Sequence, residues 1–279
     1  MNDSGLKRAA TSGGEIAYQD VGEGPPALLL HGFPTSSFLW RREIPLFASR
    51  MRVIAPDLLG YGRSEHPQGV DLSELAQATY ARELIKHLGI DELAVIGHDI
   101  GGAVAQLLAL DPEGLAVRAM VLVDSVGFDT WPIEGVRRLQ AIPSEQQSAE
   151  FVEDVVRLVY ELAVAHEPRR DPGVLDSYLD PWRSDPEAFF RAAAGIEGKG
   201  LAGREEELRQ LDVPVFLVWG EDDPFAPSEL AERLQEALPG SALALLPGCS
   251  HFVMEDAPGT VGPLIYEFLR TRYLGEPGH

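Results

Sequence analysis

The stretch LAVIGHDIGG, residues 93–102, places one acidic side chain, Asp99, among glycines at the end of an apolar run. The run at 93–96 is short and continuously apolar, which is typical of a strand buried on both faces of a parallel sheet. A helical pattern follows over residues 102–110, with its start expected near Ala103. We therefore predict a tight turn between strand and helix, with Asp99 presented at its centre in a strained backbone conformation.

The same kind of apolar run recurs along the chain, at residues 27–30, 53–55, 120–123, 215–218 and 242–246. Helical patterns separate several of these runs, for example over residues 73–88. Strands that alternate with helices indicate βα units and a parallel sheet. The sequence therefore predicts an α/β fold with a mostly parallel, doubly wound sheet.

The alternation stops between residues 127 and 211, where residues 151–165 and 186–194 show helical patterns without an intervening strand. Prolines at 168, 172, 181 and 186 are expected to break helices and place turns there. We predict a core formed by residues 1–126 and 212–279, with residues 127–211 as a helical cap. Such a cap would cover the carboxyl edge of the sheet, where open α/β sheets bind ligands.

The charge balance restricts the partners. The 279 residues include 23 Lys and Arg against 44 Asp and Glu, which gives a formal net charge of −21. That field repels phosphate backbones and anionic lipid surfaces, so nucleic acid and membrane surfaces are poor partners. It favours a small neutral organic substrate. The sequence leaves the oligomeric state open, a homodimer included.

The compartment expected from the sequence is the cytoplasm. Cys249 is the one cysteine, so an internal disulfide is excluded, and residues 1–7 lack the apolar core of a signal peptide. No apolar run approaches the roughly 18 residues needed to cross a bilayer. We expect neither metal nor cofactor, because His66, His87 and His98 lack ligand spacing and no Gly-rich loop has a nucleotide-binding pattern.

The strand, turn and helix around Asp99 resemble the nucleophile elbow of the α/β-hydrolase superfamily, with aspartate where serine usually stands. Nearly the whole chain fits this resemblance. The aspartate version is similar to the branch that holds epoxide hydrolases, haloalkane dehalogenases and haloacetate dehalogenases. It implies that Asp99 is a nucleophile, whereas the alternative is an aspartate that only caps the following helix.

A carboxylate nucleophile changes the chemistry, because its attack on a saturated carbon gives an alkyl ester that water must then split. The resemblance assigns the base to His251, which follows the last apolar run in PGCSHF, residues 247–252. The acid that orients it is expected at Asp223, after the run at 215–218, with Asp124 as the reserve candidate. The motif HGFP, residues 31–34, would supply the Phe33 N–H to an oxyanion hole shared with the Ile100 N–H. A second family-like stretch, residues 56–64, receives a structural role.

The leaving group is inferred from the halide-binding and carboxylate-binding side chains of the related families that this sequence lacks. The positions where haloalkane dehalogenases carry halide-binding Trp and Asn hold Ile100 and Phe33, and haloacetate dehalogenases usually carry an arginine after the nucleophile. The opening of an epoxide needs an acid that protonates the leaving oxygen. In the cap the candidates for this acid are Tyr160 and Tyr178, and His166 is a less favoured third. The sequence therefore predicts an epoxide hydrolase. A dehalogenase, haloalkane or haloacid, is the enzyme alternative, and a non-catalytic small-molecule receptor is the alternative of another class.

Overall fold

The computed structural model describes residues 5–277 and contains one eight-stranded sheet in the order β1-β2-β4-β3-β5-β6-β7-β8. The strands are β1 Lys7–Ala10, β2 Glu15–Val21, β3 Pro26–Leu30, β4 Arg52–Pro56, β5 Glu92–His98, β6 Ala116–Val123, β7 Val215–Gly220 and β8 Ala242–Leu246. Strands β3 to β8 are parallel to one another, whereas β2 is antiparallel to both of its neighbours, β1 and β4. All six predicted runs lie in strands, which confirms the α/β class.

The two strands outside the predicted set are β1 and β2 at one edge of the sheet. Only the third residue of β1 is buried, and β2 is exposed at both ends. By contrast, β5 is buried from its second residue onward. An antiparallel edge strand keeps part of its surface in water, so its sequence has no continuous apolar run. The pattern that identifies central parallel strands is therefore absent from β1 and β2.

The helices are α1 Glu43–Phe47, α2 Glu74–His87, α3 Ile100–Leu110, α4 Glu134–Gln140, α5 Ala149–Ala163, α6 Pro172–Ser184, α7 Pro186–Ala194, α8 Glu205–Arg209, α9 Ser228–Ala237, α10 Val253–Asp256 and α11 Pro258–Arg272. The expected start of α3 near Ala103 is wrong by three residues, because the helix begins directly after Asp99. None of the helices within residues 5–277 has the length and apolarity needed to span a membrane.

The chain between β6 and β7 folds into the helices α4 to α8. Pro172 and Pro186 begin helices as expected, whereas Pro181 lies inside α6. There it removes the N–H that would bond to the Ser177 carbonyl, and the helix nevertheless continues to Ser184. The assignment of residues 127–211 as a separate cap domain stays a prediction, and residues 1–4 and 278–279 lie outside the described part.

Helix α6 is joined to the rest of the molecule by two buried hydrogen bonds. The Tyr178 hydroxyl donates to Glu255 Oε1 at 2.8 Å, and the Trp182 indole N–H donates to the Pro34 carbonyl at 3.0 Å. Glu255 also forms salt bridges with Arg41, at 2.6 Å. A buried carboxylate with several donors is held firmly, so the position of α6 over the sheet is specified by these contacts.

Helix α3 packs against the end of β3 at Gly101, which gives a test of the fold. A Cβ at this position would lie 2.5 Å from the backbone carbonyl oxygens of Leu30 and His31. Gly101→Ala should therefore lower the free energy of unfolding by about 1–3 kcal/mol, measured by urea denaturation. Gly259→Ala is the matched control, because Gly259 is also the second residue of its helix and nothing lies within 4 Å of its Cβ position. Equal stabilities of the two variants would contradict the close packing.

Candidate active site

Asp99 lies at the junction of β5 and α3 in a backbone conformation that non-glycine residues rarely adopt, with φ of 54°. It is the N-cap residue of α3, but its side chain accepts no capping hydrogen bond. Oδ1 instead accepts a hydrogen bond from the Phe33 N–H at 2.8 Å. The carboxylate is thus turned away from the helix and toward the loop after β3, which the capping alternative does not explain.

The other carboxylate oxygen of Asp99, Oδ2, is buried and has no hydrogen-bond partner. It lies 3.8 Å from Nε2 of His251, and both side chains are almost completely buried. A buried carboxylate oxygen without a donor is costly unless it has a use. Burial raises the pKa of Asp99 to about 6, against the opposing effects of the nearby His251 and of hydrogen bonds from the Ile100 and Phe33 amides.

The structure pairs His251 with Asp223. The Nδ1 atom of His251 lies 2.8 Å from Asp223 Oδ2, and Asp223 Oδ1 accepts from the amides of Phe225 and Ala226 at 2.7 and 3.0 Å. Burial of the ring lowers the pKa of His251, but the charge and hydrogen bond of Asp223, with the charge of Asp99, outweigh this and raise it. This arrangement fixes the tautomer that leaves Nε2 toward Asp99 as the basic nitrogen.

Helix α5 accepts hydrogen bonds from Ser250 and Phe252, the two residues that flank His251. The Ser250 hydroxyl donates to the Leu162 carbonyl at 2.7 Å, and the Phe252 N–H donates to the Ala163 carbonyl at 2.8 Å. The two carbonyls belong to the last turn of α5, where helix carbonyls lack intrahelical partners. The position of the histidine ring is therefore coupled to the inserted helices.

Asp124, the reserve candidate, has a different environment. It is fully buried, its Oδ1 accepts from the Gly220 N–H at 2.8 Å, and its Oδ2 has no partner. Burial raises its pKa well above the usual 3.8, and the neighbouring charge of Asp223 raises it further. Burial thus favours the protonated form of Asp124, while the contact with His251 belongs to Asp223.

The loop after β3 is held by its own histidine and by Asp57. The ring of His31 accepts from the Leu58 N–H through Nε2 at 2.9 Å, and its Nδ1 lies 2.9 Å from the Gly32 carbonyl. Asp57 accepts from the amides of Ser37 and Arg63 at 2.7 and 2.6 Å. Residues 56–64 thus support the loop that carries the Phe33 amide, in keeping with the structural role expected for them.

A cavity of about 280 Å³ opens beside Asp99 and His251. Apart from these two residues its wall is almost wholly apolar, and the inserted segment supplies much of it. The lining residues are Phe33, Pro34, Asp99, Trp131, Ile133, Gly135, Val136, Leu139, Val155, Leu158, Val159, Leu162, Phe225 and His251. Such a wall suits a neutral, apolar ligand whose reactive carbon meets the carboxylate.

The candidate acids from the inserted helices do not line this cavity. The Tyr160 hydroxyl accepts from the Asp171 N–H at 3.0 Å, and the Tyr178 hydroxyl donates to Glu255. His166 lies near Asp256, with half of its side chain exposed. Both tyrosine hydroxyls thus serve packing within the inserted helices and their attachment, and the geometry does not support either as the acid for a leaving oxygen.

One residue at the cavity was not among the predicted site residues. Trp131 borders the cavity, and its indole N–H is buried without a hydrogen-bond partner. A buried tryptophan N–H usually finds an acceptor, so the unpaired N–H of Trp131 is a candidate donor to a ligand. The sequence signal is the Trp131-Pro132 pair eight residues after the end of β6, where the inserted segment begins. Within the described chain, no cluster of three or more His, Cys, Asp or Glu could hold a metal ion.

The mostly parallel sheet and the strained turn at Asp99, between strand β5 and helix α3, define the class of protein. They are the features of α/β hydrolases. The family model for the alpha/beta hydrolase fold matches residues 25–258, so the chain belongs to that family and is a hydrolase. Its similarity extends to the branch whose members include haloalkane dehalogenases and epoxide hydrolases.

Three relatives illustrate this similarity. The haloalkane dehalogenase 2 of Mycobacterium tuberculosis is 31% identical over 269 residues, which cover 92% of each chain. The soluble epoxide hydrolase of a Corynebacterium species is 44% identical over 130 residues, 45% of each chain. The solved structure of the epoxide hydrolase CorEH without ligand has a TM-score of 0.82 and 26% identity, and the match covers 95% of this chain and 98% of that one.

The raised pKa of Asp124 has a measurable consequence for stability. An unfolded chain ionises this residue near pH 3.8, whereas the folded chain keeps it protonated to much higher pH. The native state therefore loses stability as pH rises, and Asp124→Asn removes this loss while keeping an oxygen for the Gly220 amide. Relative to the parent, the variant should gain up to about 1.4 kcal/mol per pH unit between about pH 5 and pH 7 in urea denaturation.

The control is Asp129→Asn, since the exposed Asp129 carboxylate pairs with Arg233, which lowers its pKa. Its contribution is fully present above the usual carboxylate pKa and is lost only at lower pH, so the stability difference between Asp129→Asn and the parent should stay constant between about pH 5 and pH 7. Parallel pH curves for the parent and Asp124→Asn would mean that Asp124 is ionised in the native state.

Proposed function

We propose that this hydrolase opens epoxides to vicinal diols through an alkyl ester on Asp99. The observation that supports the proposal is that the two oxygens of the Asp99 carboxylate have different environments. Oδ1 is held by the Phe33 amide, while Oδ2 is buried, unpaired and directed to the side of His251. A carboxylate held in this way presents one oxygen to a carbon atom in the adjoining cavity.

In the first step Oδ2 attacks one epoxide carbon, the carbon–oxygen bond breaks and an ester forms on Asp99. The alkoxide that forms takes a hydrogen bond from the indole N–H of Trp131 and a proton from water, and the hydroxide left behind is neutralised by the proton that His251 releases after the second step. The apolar wall assists this step, because a poorly solvated carboxylate is a stronger nucleophile than one in water.

In the second step water attacks the ester carbonyl and His251 Nε2 takes its proton. Collapse of the tetrahedral intermediate then breaks the bond between the carbonyl carbon and the alkyl oxygen, and the leaving oxygen takes the proton of the new carboxyl group, which releases the diol and restores the Asp99 carboxylate. The Asp223 carboxylate, 2.8 Å from Nδ1, stabilises the resulting imidazolium. Oδ1 becomes the negative oxygen of this intermediate, and the Phe33 N–H already donates to it at 2.8 Å. We propose that this amide and the Ile100 N–H together form the oxyanion hole.

The choice of an epoxide rests on the polar groups at the cavity. The side chains of Phe33 and Ile100 give no donor for a halide, and no arginine lines the wall for a substrate carboxylate. The net charge of −21 also favours a neutral substrate. We further propose that α4 to α8 act as the cap that closes this cavity. CorEH, an epoxide hydrolase, shares the fold across nearly the whole chain.

Haloalkane dehalogenation is the second candidate, and Trp131 is the observation that favours it. An indole N–H can stabilise a departing halide directly, without transfer of a proton. The dehalogenase relative from Mycobacterium tuberculosis matches 92% of this chain. Both candidates form an alkyl ester on Asp99 and differ in the atom that leaves.

The decisive experiment traps the ester. His251→Gln removes the base, so the variant should accumulate an adduct on Asp99 that intact-protein mass spectrometry detects. A terminal hexene oxide should add its full mass, whereas hexyl bromide would add its mass less hydrogen bromide. Peptide mapping should place the adduct on Asp99, and Asp99→Asn with His251→Gln should form none.

Trapping with the epoxide and diol formation by the parent enzyme support the proposal. Trapping with the bromide alone, with halide release, would reverse the order of the two candidates. A protein that binds these compounds in a thermal-shift assay and forms no adduct would be a receptor on the same fold.

The pH dependence follows from the raised pKa of Asp99, about 6. Only the ionised carboxylate can attack, so kcat/KM for hexene oxide should be level above this value. Below it, kcat/KM should fall tenfold per pH unit. Stopped assays from pH 4.5 to pH 8.5 would measure the profile, and a curve still level at pH 4.5 would exclude Asp99 as the ionising group.

A further inference from the structure

A second hollow adjoins the cavity beside Asp99. It has a volume of about 730 Å³ and lies between the start of the inserted segment, the end of α5 and helix α9. We call it the outer groove, and its lining residues are Thr130, Ile133, Glu134, Gly135, Leu162, Pro224, Phe225, Pro227, Glu229, Leu230 and Arg233. Its polar side chains stand among six apolar ones, so a long apolar strip remains available to a ligand.

The outer groove and the cavity share part of one wall. Ile133, Gly135, Leu162 and Phe225 line both. Phe225 also packs its ring against the ring of His251, with centroids 5.2 Å apart. These shared residues form the boundary that a ligand bound at Asp99 must pass to reach the outer groove.

Helix α5 carries exposed leucines at this wall. Leu158 and Leu162 are 55% and 47% exposed, and they are one helical turn apart. Val155 and Val159 of the same helix line the cavity. Large apolar side chains gain nothing from exposure to water, so a pair that continues the apolar lining outward is expected at a ligand path.

We propose that the outer groove binds the apolar tail of the substrate, so that the preferred substrates are terminal epoxides on a linear alkyl chain longer than the cavity. The proposal rests on the proposed function for the identity of the reactive group. The tail is neutral, because Arg233 at the groove is already paired with Asp129 and Glu205, at 3.2 and 2.8 Å. Glu134 and Glu229 at the groove repel a tail that ends in a carboxylate.

The test compares kcat/KM for terminal epoxides with four, six, eight and ten carbons. Complete burial of a methylene corresponds to roughly fourfold, so a groove that covers about half of each should give about twofold per methylene. A ten-carbon epoxide that ends in a carboxylate should lose this advantage. A flat series, or one that falls with length, overturns the proposal.

Two variants matched for exposure localise the effect. Leu162→Gln places an amide on the shared wall and should reduce the ratio of ten-carbon to four-carbon kcat/KM by roughly threefold. Leu75→Gln changes a leucine of α2 that is 48% exposed and lines neither hollow, so it should keep the parent ratio. Equal ratios in both variants would place the tail elsewhere.

An assay without turnover separates this inference from the proposed reaction. Butanol, hexanol, octanol and decanol carry the same tails and cannot react, and their dissociation constants are measured by titration calorimetry. Affinity that rises with length in the parent and less steeply in Leu162→Gln supports the groove, even if no epoxide is converted. Affinity independent of length overturns it, even if short epoxides are converted well.

Discussion

The strained turn at Asp99 is the constraint on which the rest of the site depends. A residue with φ of 54° between β5 and α3 directs its side chain away from the helix and up to the edge of the sheet. The helix can follow at once because Gly97 and Gly101 allow backbone contacts that a Cβ would block. The carboxylate then meets the Phe33 amide on one side and His251 on the other, and the cavity opens between them.

Three buried acids, Asp99, Asp124 and Asp223, lie in one cluster with His251, and each has a different environment. Asp223 has the histidine contact and two amide donors, Asp99 has one anchored oxygen and one free oxygen, and burial raises the pKa of Asp124 well above its usual value. Three full negative charges at such distances in a dry site would destabilise the fold. The raised pKa of Asp124 and of His251 both reduce the net charge, which lets Asp99 remain a usable nucleophile at neutral pH.

Much of the fold could be predicted because central parallel strands leave a strong trace in a sequence. Each is buried on both faces, so each appears as a short apolar run that ends in a turn residue. The edge strands β1 and β2 leave no such trace, and Pro181 inside α6 contradicts the local rule for helices. In both cases the deciding contacts come from neighbouring elements, which a local pattern does not contain.

The sequence by itself determined the chemistry-bearing residues that depend on chain order and local turns: Asp99 after its strand, His251 near the end, and the loop with Phe33. Only the tertiary structure decided which acid touches the histidine, where the hydroxyls of Tyr160 and Tyr178 point, and that Trp131 borders the cavity. The physical reason is the distance along the sequence between the residues that make each contact. A turn is specified by residues a few positions apart, whereas a hydrogen bond between Asp223 and His251 or a shared cavity wall depends on how whole elements pack.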